Sequence, residues 1–557
     1  MRGTLMITYP GCWHATVDYL ETAGVETVFG LPSDDLGYLA AVDGSKLTSV
    51  LCRDQRNAVF MATGHAMASG RPGVVVVGKG PAVTNTLTGL LEARFSAVPV
   101  VVLATGTSSE HRGSGAFQEL DQLAVLAPLT KWATRVDHPS RVVAALERAF
   151  DVAASGVPGP VYVEFPDDLR ETEIVRTRPW AAPIERTVSV AGADSAAVQA
   201  IQLARRPLIL VGGGMRHRNS GRLLEKLAEK TGAAVLATAS GRGSFDEEHP
   251  QFLGLAGLYA RPAVSELVRD ADLVITLGSR LEETARYGWR HDQQTVQVNI
   301  DAAEFSTEFA GPRVLGDGGD VVRSWLGLVG EPDPQWLKRV TGARRSLVDD
   351  AATELARLRA TPRLQIAEVL AALQDALRPD AILVQENGLQ DMWSYIFPYF
   401  RCGGSIVPSE QTSLGFGAAA AGGVRLAHPD RQVVAFVGDG AFTMVMSDVD
   451  TLVENGIGVL FVVLDNGGYG WLQTQLEQRG LTEFSFTRAR TAPTRHPHVH
   501  AITLTERGHL REQLTDALAA TEHGTVAIAR VPVELDDAPP GISQLEGDFP
   551  TLKEERS

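Results

Sequence analysis

VGDGAFTMVMSDVDTLVENGIGVLFVVLDNGGYG, residues 437–470, decides how this chain is read. An apolar run ends in Gly438-Asp439-Gly440, a helical pattern follows, and a second apolar run ends in Asp465-Asn466-Gly467-Gly468. Short Val- and Leu-rich runs without polar alternation suit strands buried on both faces of a parallel sheet. In such a sheet both strand ends emerge at the carboxyl edge, where ligands bind. The Asp439 carboxylate and the Asn466 amide oxygen then converge, and the flanking glycines let backbone carbonyls approach closely. That hard-oxygen set suits Mg²⁺ or Ca²⁺ with a ligand's phosphates as the remaining partners. The helix start after Gly440 adds amide donors for an anion. A lone GDG is more often only a tight turn. Two such strand ends, each with the right ligand type, favour the metal reading.

The same rhythm runs through the chain. GVVVVG (73–78), VPVVVLATG (98–106) and PVYVEFP (160–166) read as buried strands, and RVVAALERAFDVAAS (141–155) as a crossover helix. It returns in PLILVGGG (207–214), AAVLAT (233–238), ADLVITLGS (271–279) and TVQVNID (295–301), and again in AILVQENG (381–388) and GTVAIARVPVE (524–534). The expected fold is α/β, with three doubly wound parallel-sheet domains over residues 1–180, 190–335 and 346–557. Two polar, proline-bearing stretches, 167–190 and 329–346, read as linkers between them.

Bulk properties narrow the function classes. A chain of 557 residues is too long for one core. The net charge of −16 argues against a nucleic-acid or anionic-membrane binder. Three widely spaced cysteines form neither a disulfide framework nor a CxxC site, so a reducing compartment is expected. The N-terminus lacks a signal-peptide core and no apolar run reaches membrane-spanning length, which points to a cytoplasmic protein.

The GDG-to-DN segment resembles the signature of the thiamine-diphosphate enzymes of the acetolactate synthase and 2-oxo-acid decarboxylase group. GKGPAVTNTLTGLLEARFSAVPVVVLATG, GAFQELDQLAVLAPLTKWA, GRGSFDEEHPQFLGLAGLYA and GFGAAAAGGVRLAHPDRQVVAFVGDG resemble further family segments in the same order. The resemblance implies an N-terminal block that holds the aminopyrimidine, an architectural middle block and a C-terminal block that holds the diphosphate. The site would lie between blocks of two subunits, so a homodimer is the minimum and a tetramer is compatible. Asp439, Asn466 and the Gly468 carbonyl would hold Mg²⁺ on the diphosphate. Further cofactor contacts are implied at Asn85, Glu386, Asn387, Gly388, Gly438, Gly440, Ala441, Tyr469 and Gly470. Leu414 would prop the cofactor into its bent form, and Thr412, where the family usually has glycine, would offer its carbonyl to the 4′-amino group.

The implied chemistry is decarboxylation of a small 2-oxo acid, with the resulting enamine added to a second carbonyl compound (an aldehyde or another 2-oxo acid). A simple decarboxylase that protonates the enamine is the alternative. The family's catalytic glutamate falls on Gln55 in CRDQRNAVFMATGHAMAS (52–69), with Asp54 as the helix N-cap. An amide can donate a hydrogen bond to N1′ but cannot transfer a proton, so a thiamine-diphosphate-binding protein without catalysis is a third reading. A register slip of one residue would put Asp54 at that place instead. Lys79 reads either as a partner for a substrate carboxylate or as a solvated lysine, and Phe117 and Gln118 match channel residues. Gln475 falls where acetolactate synthases carry the tryptophan that selects the second substrate, and Trp471 takes a usual methionine position, so the resemblance implies a rebuilt pocket. FAD stays open: Arg280 matches an FAD contact, whereas Tyr259 replaces the usual histidine. His496, His498 and His500 alternate within FTRARTAPTRHPHVHAITL (486–504), read as a solvated or substrate-capping loop rather than a metal site.

Overall fold

A computed structural model of the chain describes residues 6–31, 36–183, 194–216, 220–396, 404–481, 483–487, 497–535 and 537–539. Three six-stranded sheets carry the architecture, and every strand pair within them is parallel. The three α/β blocks expected from the apolar runs are therefore present.

In the first sheet the chain order is Thr27–Gly30, Thr48–Leu51, Gly73–Val77, Val100–Gly106, Trp132–Arg135 and Val161–Pro166. In space these lie in the order 2-1-3-4-6-5. The third sheet, built from Ile382–Gln385, Ser405–Ile406, Val433–Gly438, Leu460–Asp465, Val499–Thr503 and Val526–Pro532, repeats that order strand for strand. The middle sheet differs: Pro207–Val211, Ala234–Ala237, Phe252–Leu255, Leu273–Leu277, Thr295–Asn299 and Arg313–Leu315 lie in the order 3-2-1-4-5-6. The inner strands of the first and third sheets are almost wholly buried, as their Val-, Ile- and Leu-rich runs require, whereas the edge strands Thr48–Leu51, Trp132–Arg135 and Val499–Thr503 are partly exposed.

By packing, the chain divides into two compact units. One comprises residues 1–187 with 408–430 and 445–458, and the other comprises 188–407, 431–444 and 459–557. Within the first unit the helix Phe416–Ala427 crosses the helix Gln55–Ser69 closely. A Cβ on Gly423 would sit 1.8 Å from the Met61 carbonyl oxygen, and one on Gly64 2.4 Å from that of Ala420. The small residues of GFGAAAAGG and ATGHAMAS thus set the interhelical distance. Phe60 and Phe416 close the contact edge to face, with ring centroids 5.7 Å apart.

Two readings of the sequence need correction. The stretch 329–346, taken as a linker, is mostly the start of a 26-residue helix, Pro334–Arg359. Its proline sits in the first turn, where the missing N–H costs nothing, and the Asp333 carboxylate caps the backbone N–H groups of Gln335 and Trp336. Burial of Trp336, Val340 and Leu347 then holds it. Within 167–190, Ile174–Arg176 pairs antiparallel with Ile7–Tyr9, a two-stranded ladder that the charged composition hid. Residues 184–190 and His496 lie outside the described residues. Of the segment read as a loop, Val499–Thr503 forms an edge strand that carries His500.

Candidate active site

In a sheet of order 2-1-3, the crevice opens between the carboxyl ends of strands 1 and 3, where consecutive connections leave in opposite directions. In the third sheet these ends run into Glu386-Asn387-Gly388 and into Gly438-Asp439-Gly440. The next strand is in register, with Gly438 opposite Leu464, so Asp439 and Asp465-Asn466 emerge at neighbouring ends. Asp439 is buried in the first turn of Asp439–Val445. The Asn466 amide oxygen accepts from the Gly468 N–H at 3.1 Å, folding the turn onto itself. A Cβ on Gly468 would lie 2.6 Å from the Phe486 carbonyl, because residue 469 donates its N–H to that oxygen (3.1 Å) and closes a short ladder.

Asp465 stands where the resemblance expects an asparagine, and the structure shows what becomes of its charge. The guanidinium of Arg530, on the neighbouring strand, pairs with its Oδ2. The edge therefore keeps the Asp439 carboxylate, the Asn466 amide and backbone carbonyls as oxygen donors. That set fits a hard divalent cation whose remaining partners are phosphate oxygens. Among the described residues no group of three or more His, Cys, Asp or Glu could hold a metal, so amide and carbonyl oxygens would have to complete the shell.

Glu386 is buried, and the turn after it is shaped by Gln390, whose Nε2 donates to the carbonyls of Glu386 (2.9 Å) and Asn387 (3.0 Å). The Asp391 carboxylate accepts from the Gly388 N–H at 3.1 Å. Burial pushes the Asp391 carboxyl up to about 8. Gln390 and Asp391 carried no motif and were not among the sequence candidates. Ala441 is buried, Tyr469 is half exposed, and Gly470 lies so close to the Leu535 carbonyl that a Cβ would meet it at 2.1 Å. Trp471 packs against the core of the third sheet rather than standing free.

In the first unit the candidates gather differently. Gln55 opens its helix, and Asn85 Nδ2 donates to Gln55 Oε1 at 2.7 Å, so two candidates from separate motifs meet. Asp54 is the N-cap: its Oδ1 accepts from the N–H of Arg56 (2.8 Å) and of Asn57 (3.3 Å). Its Oδ1 is thus committed to capping the helix. A buried carboxylate that the sequence did not single out, Asp448, braces this turn from both sides. It accepts from the Arg53 N–H and from Asn57 Nδ2, each at 2.7 Å. Burial raises the Asp448 pKa, against the hydrogen bonds that lower it.

Lys79 is engaged by a neighbouring carboxylate. Its Nζ is paired with Asp167 Oδ2 at 2.5 Å, across the carboxyl ends of two strands. The adjoining Gly80 N–H donates to Gln122 Oε1 (2.7 Å), and the Gln122 amide nitrogen donates in turn to Glu164 and to Tyr162. A Cβ on Gly80 would meet the Gln118 carbonyl at 2.6 Å, so the Gln118 backbone (φ +56°) rests on that glycine. Phe117 beside it is 69% exposed. Thr412 takes a left-handed conformation (φ +45°), a strain of about 1–3 kcal/mol, and Leu414 is 45% exposed. In the middle sheet the Arg280 guanidinium is engaged by Glu282 (3.1 Å) and Glu304 (3.5 Å), and Tyr259 stacks edge-on against Tyr395.

Comparison with known proteins identifies the family. Residues 13–125 match the family described as "Thiamine pyrophosphate enzyme, N-terminal TPP binding domain", residues 195–324 its central domain, and residues 387–529 its C-terminal TPP binding domain. The chain is 30% identical over 478 residues to a probable acetolactate synthase large subunit of Methanocaldococcus jannaschii, covering 82% of this chain and 80% of that protein. It is 28% identical to the large subunit of acetolactate synthase isozyme 1 of Escherichia coli, covering 82% of each. It is 31% identical to an acetolactate synthase large subunit of Parasynechococcus marenigrum, covering 84% of this chain and 78% of that protein.

Proposed function

The chain belongs to the thiamine pyrophosphate enzymes, and from that premise we propose that it uses thiamine diphosphate and Mg²⁺ to decarboxylate a small 2-oxo acid and to ligate the remaining fragment to a second carbonyl compound. The observation that carries the reading is the register of Gly438 opposite Leu464, which puts Asp439 and Asn466 at adjacent ends of parallel strands. The acetolactate synthase names of the relatives support the ligation step.

In this reading Asp439, the Asn466 side chain and the Gly468 carbonyl hold the cation that binds the diphosphate. Bound thiamine diphosphate supplies the electron sink for the pair freed when CO₂ leaves. The Asn85 amide occupies the Gln55 carbonyl oxygen, so the Gln55 Nε2–H group remains to donate to N1′ of the pyrimidine. Gln55 thereby binds and orients the ring, but an amide exchanges no proton there. The acid–base contribution of ~10²–10⁴-fold that a carboxylic acid would make is not asked of it. The Thr412 carbonyl and the exposed Leu414 side chain set the cofactor's bend, while Phe117 and Gln118 bound the substrate. In this reading Lys79, paired with Asp167, serves the scaffold rather than the substrate carboxylate, a role that the ion pair supports. The active species is a homo-oligomer, which light scattering of the purified protein would test.

The decisive experiment is CO₂ release from a panel of 2-oxo acids, with and without an aldehyde acceptor, in the presence of thiamine diphosphate and Mg²⁺. Ligated products support the reading, and free aldehyde alone reduces it to a simple decarboxylase. A second reading, a cofactor-binding protein without turnover, rests on the absence of a carboxylic acid in the Gln55–Asn85 pair. Turnover by the wild type ends that reading; activity that appears only in Gln55→Glu establishes it.

A further inference from the structure

Glu92 is a carboxylate with no solvent exposure, in the helix Leu87–Phe95, and was not among the candidate site residues. Its partners are unusual. Oε1 accepts from the backbone N–H of Ser409 and from the Ser96 hydroxyl (3.0 Å), and Oε2 accepts from the backbone N–H of Ser413 at 3.3 Å. Ser409 and Ser413 are buried, whereas Glu410, Gln411, Thr412 and Leu414 are exposed. One carboxylate therefore pins both ends of a turn and leaves its middle to project. Inside the turn the Thr412 N–H donates to the Ser409 carbonyl (2.9 Å), and the Gln411 N–H to the Ser409 hydroxyl (3.1 Å). These bonds close the turn only if Thr412 accepts its left-handed φ of +45°, which a threonine resists. Such a conformation persists where surrounding contacts over-determine it. Two charge-assisted hydrogen bonds from a buried carboxylate are contacts of that strength.

We propose that Glu92 is a positioning residue for thiamine diphosphate: it holds the 409–413 turn so that the Thr412 carbonyl and the Leu414 side chain are presented to the cofactor. The inference rests on the proposed function, since that reading is what puts thiamine diphosphate against Thr412 and Leu414. Glu92 touches neither substrate nor cofactor and acts only through the turn.

The test is a rescue cycle on the full-length protein, read as equilibrium binding of thiamine diphosphate with Mg²⁺ by calorimetry, beside the melting temperature without cofactor. Glu92→Gln keeps the shape but sets an N–H₂ against a backbone N–H, and should weaken binding about tenfold or more. Thr412→Gly, which takes φ near +45° without strain, should restore most of that loss in the Glu92→Gln background. Ser96→Ala removes the third donor without releasing the turn and should bind like wild type. Wild-type affinity in Glu92→Gln, or no recovery in the double variant, overturns the inference. Should Glu92→Gln not fold, hydrogen exchange of the wild type decides: strong protection of the Ser409 and Ser413 amides without cofactor supports it, and exchange of those two amides near the rate of an unfolded chain overturns it. A wild type that binds no thiamine diphosphate removes the proposed function itself, an outcome distinct from the other two.

Discussion

The first and third sheets have the same strand order, 2-1-3-4-6-5, and so offer the same crevice between strands 1 and 3, yet they furnish it with opposite chemistry. Around the first, charges are cancelled locally: Lys79 by Asp167, Arg135 by Glu164. What remains at its candidate site is a pair of neutral amides, Gln55 and Asn85. Around the third, buried acids dominate: Asp439, Glu386, Asp391 and Asp465, the last paired with Arg530. Topology makes the crevice, and side chains choose its guest. A neutral donor pair suits the edge of a heteroaromatic ring, while a carboxylate among amide and carbonyl oxygens suits a cation with a diphosphate.

The comparison breaks most sharply at Asp439. Asp439→Ala should lower thiamine diphosphate retention more than 100-fold, an order of magnitude expected for loss of a charged metal ligand, with the cofactor-free melting temperature nearly unchanged. Calorimetric titration with Mg²⁺ present reads it, and unaltered binding would remove Asp439 from the metal site. Next in size is Gly423→Ala in the first unit. Its Cβ has no room against the Met61 carbonyl, so the helices must part at a cost of roughly 1–3 kcal/mol, read by urea unfolding. At Gln55 the expected effects are smaller. Gln55→Leu removes one hydrogen bond to the ring and should weaken cofactor binding by about 1 kcal/mol, whereas Gln55→Glu, still able to accept from Asn85, should bind within about threefold of wild type.

A separate set of effects concerns pH, and they have opposite signs in the two units. Burial lowers the His65 pKa to about 4 from 6.5, so the folded chain keeps that imidazole neutral while the unfolded chain protonates it. Its stability is full above about 6.5 and is lost as the pH falls toward 4. Burial raises Asp391 to about 8 from 3.8, so the folded state holds a proton that the unfolded state releases. Its stability is full below about 3.8 and is lost as the pH rises through 8. Melting temperatures between about pH 4 and 9 should show His65→Gln weakening the loss of stability as the pH falls from about 6.5 to 4, and Asp391→Asn weakening the loss as the pH rises from about 4 to 8, each by a few degrees. A variant that weakens the other loss instead would refute the assignment.

Period and composition made the strands and crossover helices legible, because a strand buried on both faces must be a continuous apolar run. The two strand-end turns were legible for a related reason: GDG and DNGG combine residues that few strand ends need together. Less could be read where a residue's role is set by a distant neighbour. Nothing local to Asp465 announces Arg530, nothing in Lys79-Gly80 announces Asp167, and the proline-rich face of 329–346 hid a helix whose buried stripe appears only once Trp336 has a core to enter.

By itself the sequence determined the three α/β blocks and the emergence of Asp439 and Asn466 at carboxyl ends of adjacent strands. These follow from local rules: side-chain period, turn geometry and the chemistry of single residues. Only the tertiary structure decided that Gln55 meets Asn85, that Lys79 is neutralised, and that Glu92 and Asp448 brace turns some 300 to 400 positions away in the chain. Hydrogen bonds of buried carboxylates are fixed by which backbone N–H groups the packed helices bring within reach, and no one-dimensional pattern encodes that distance.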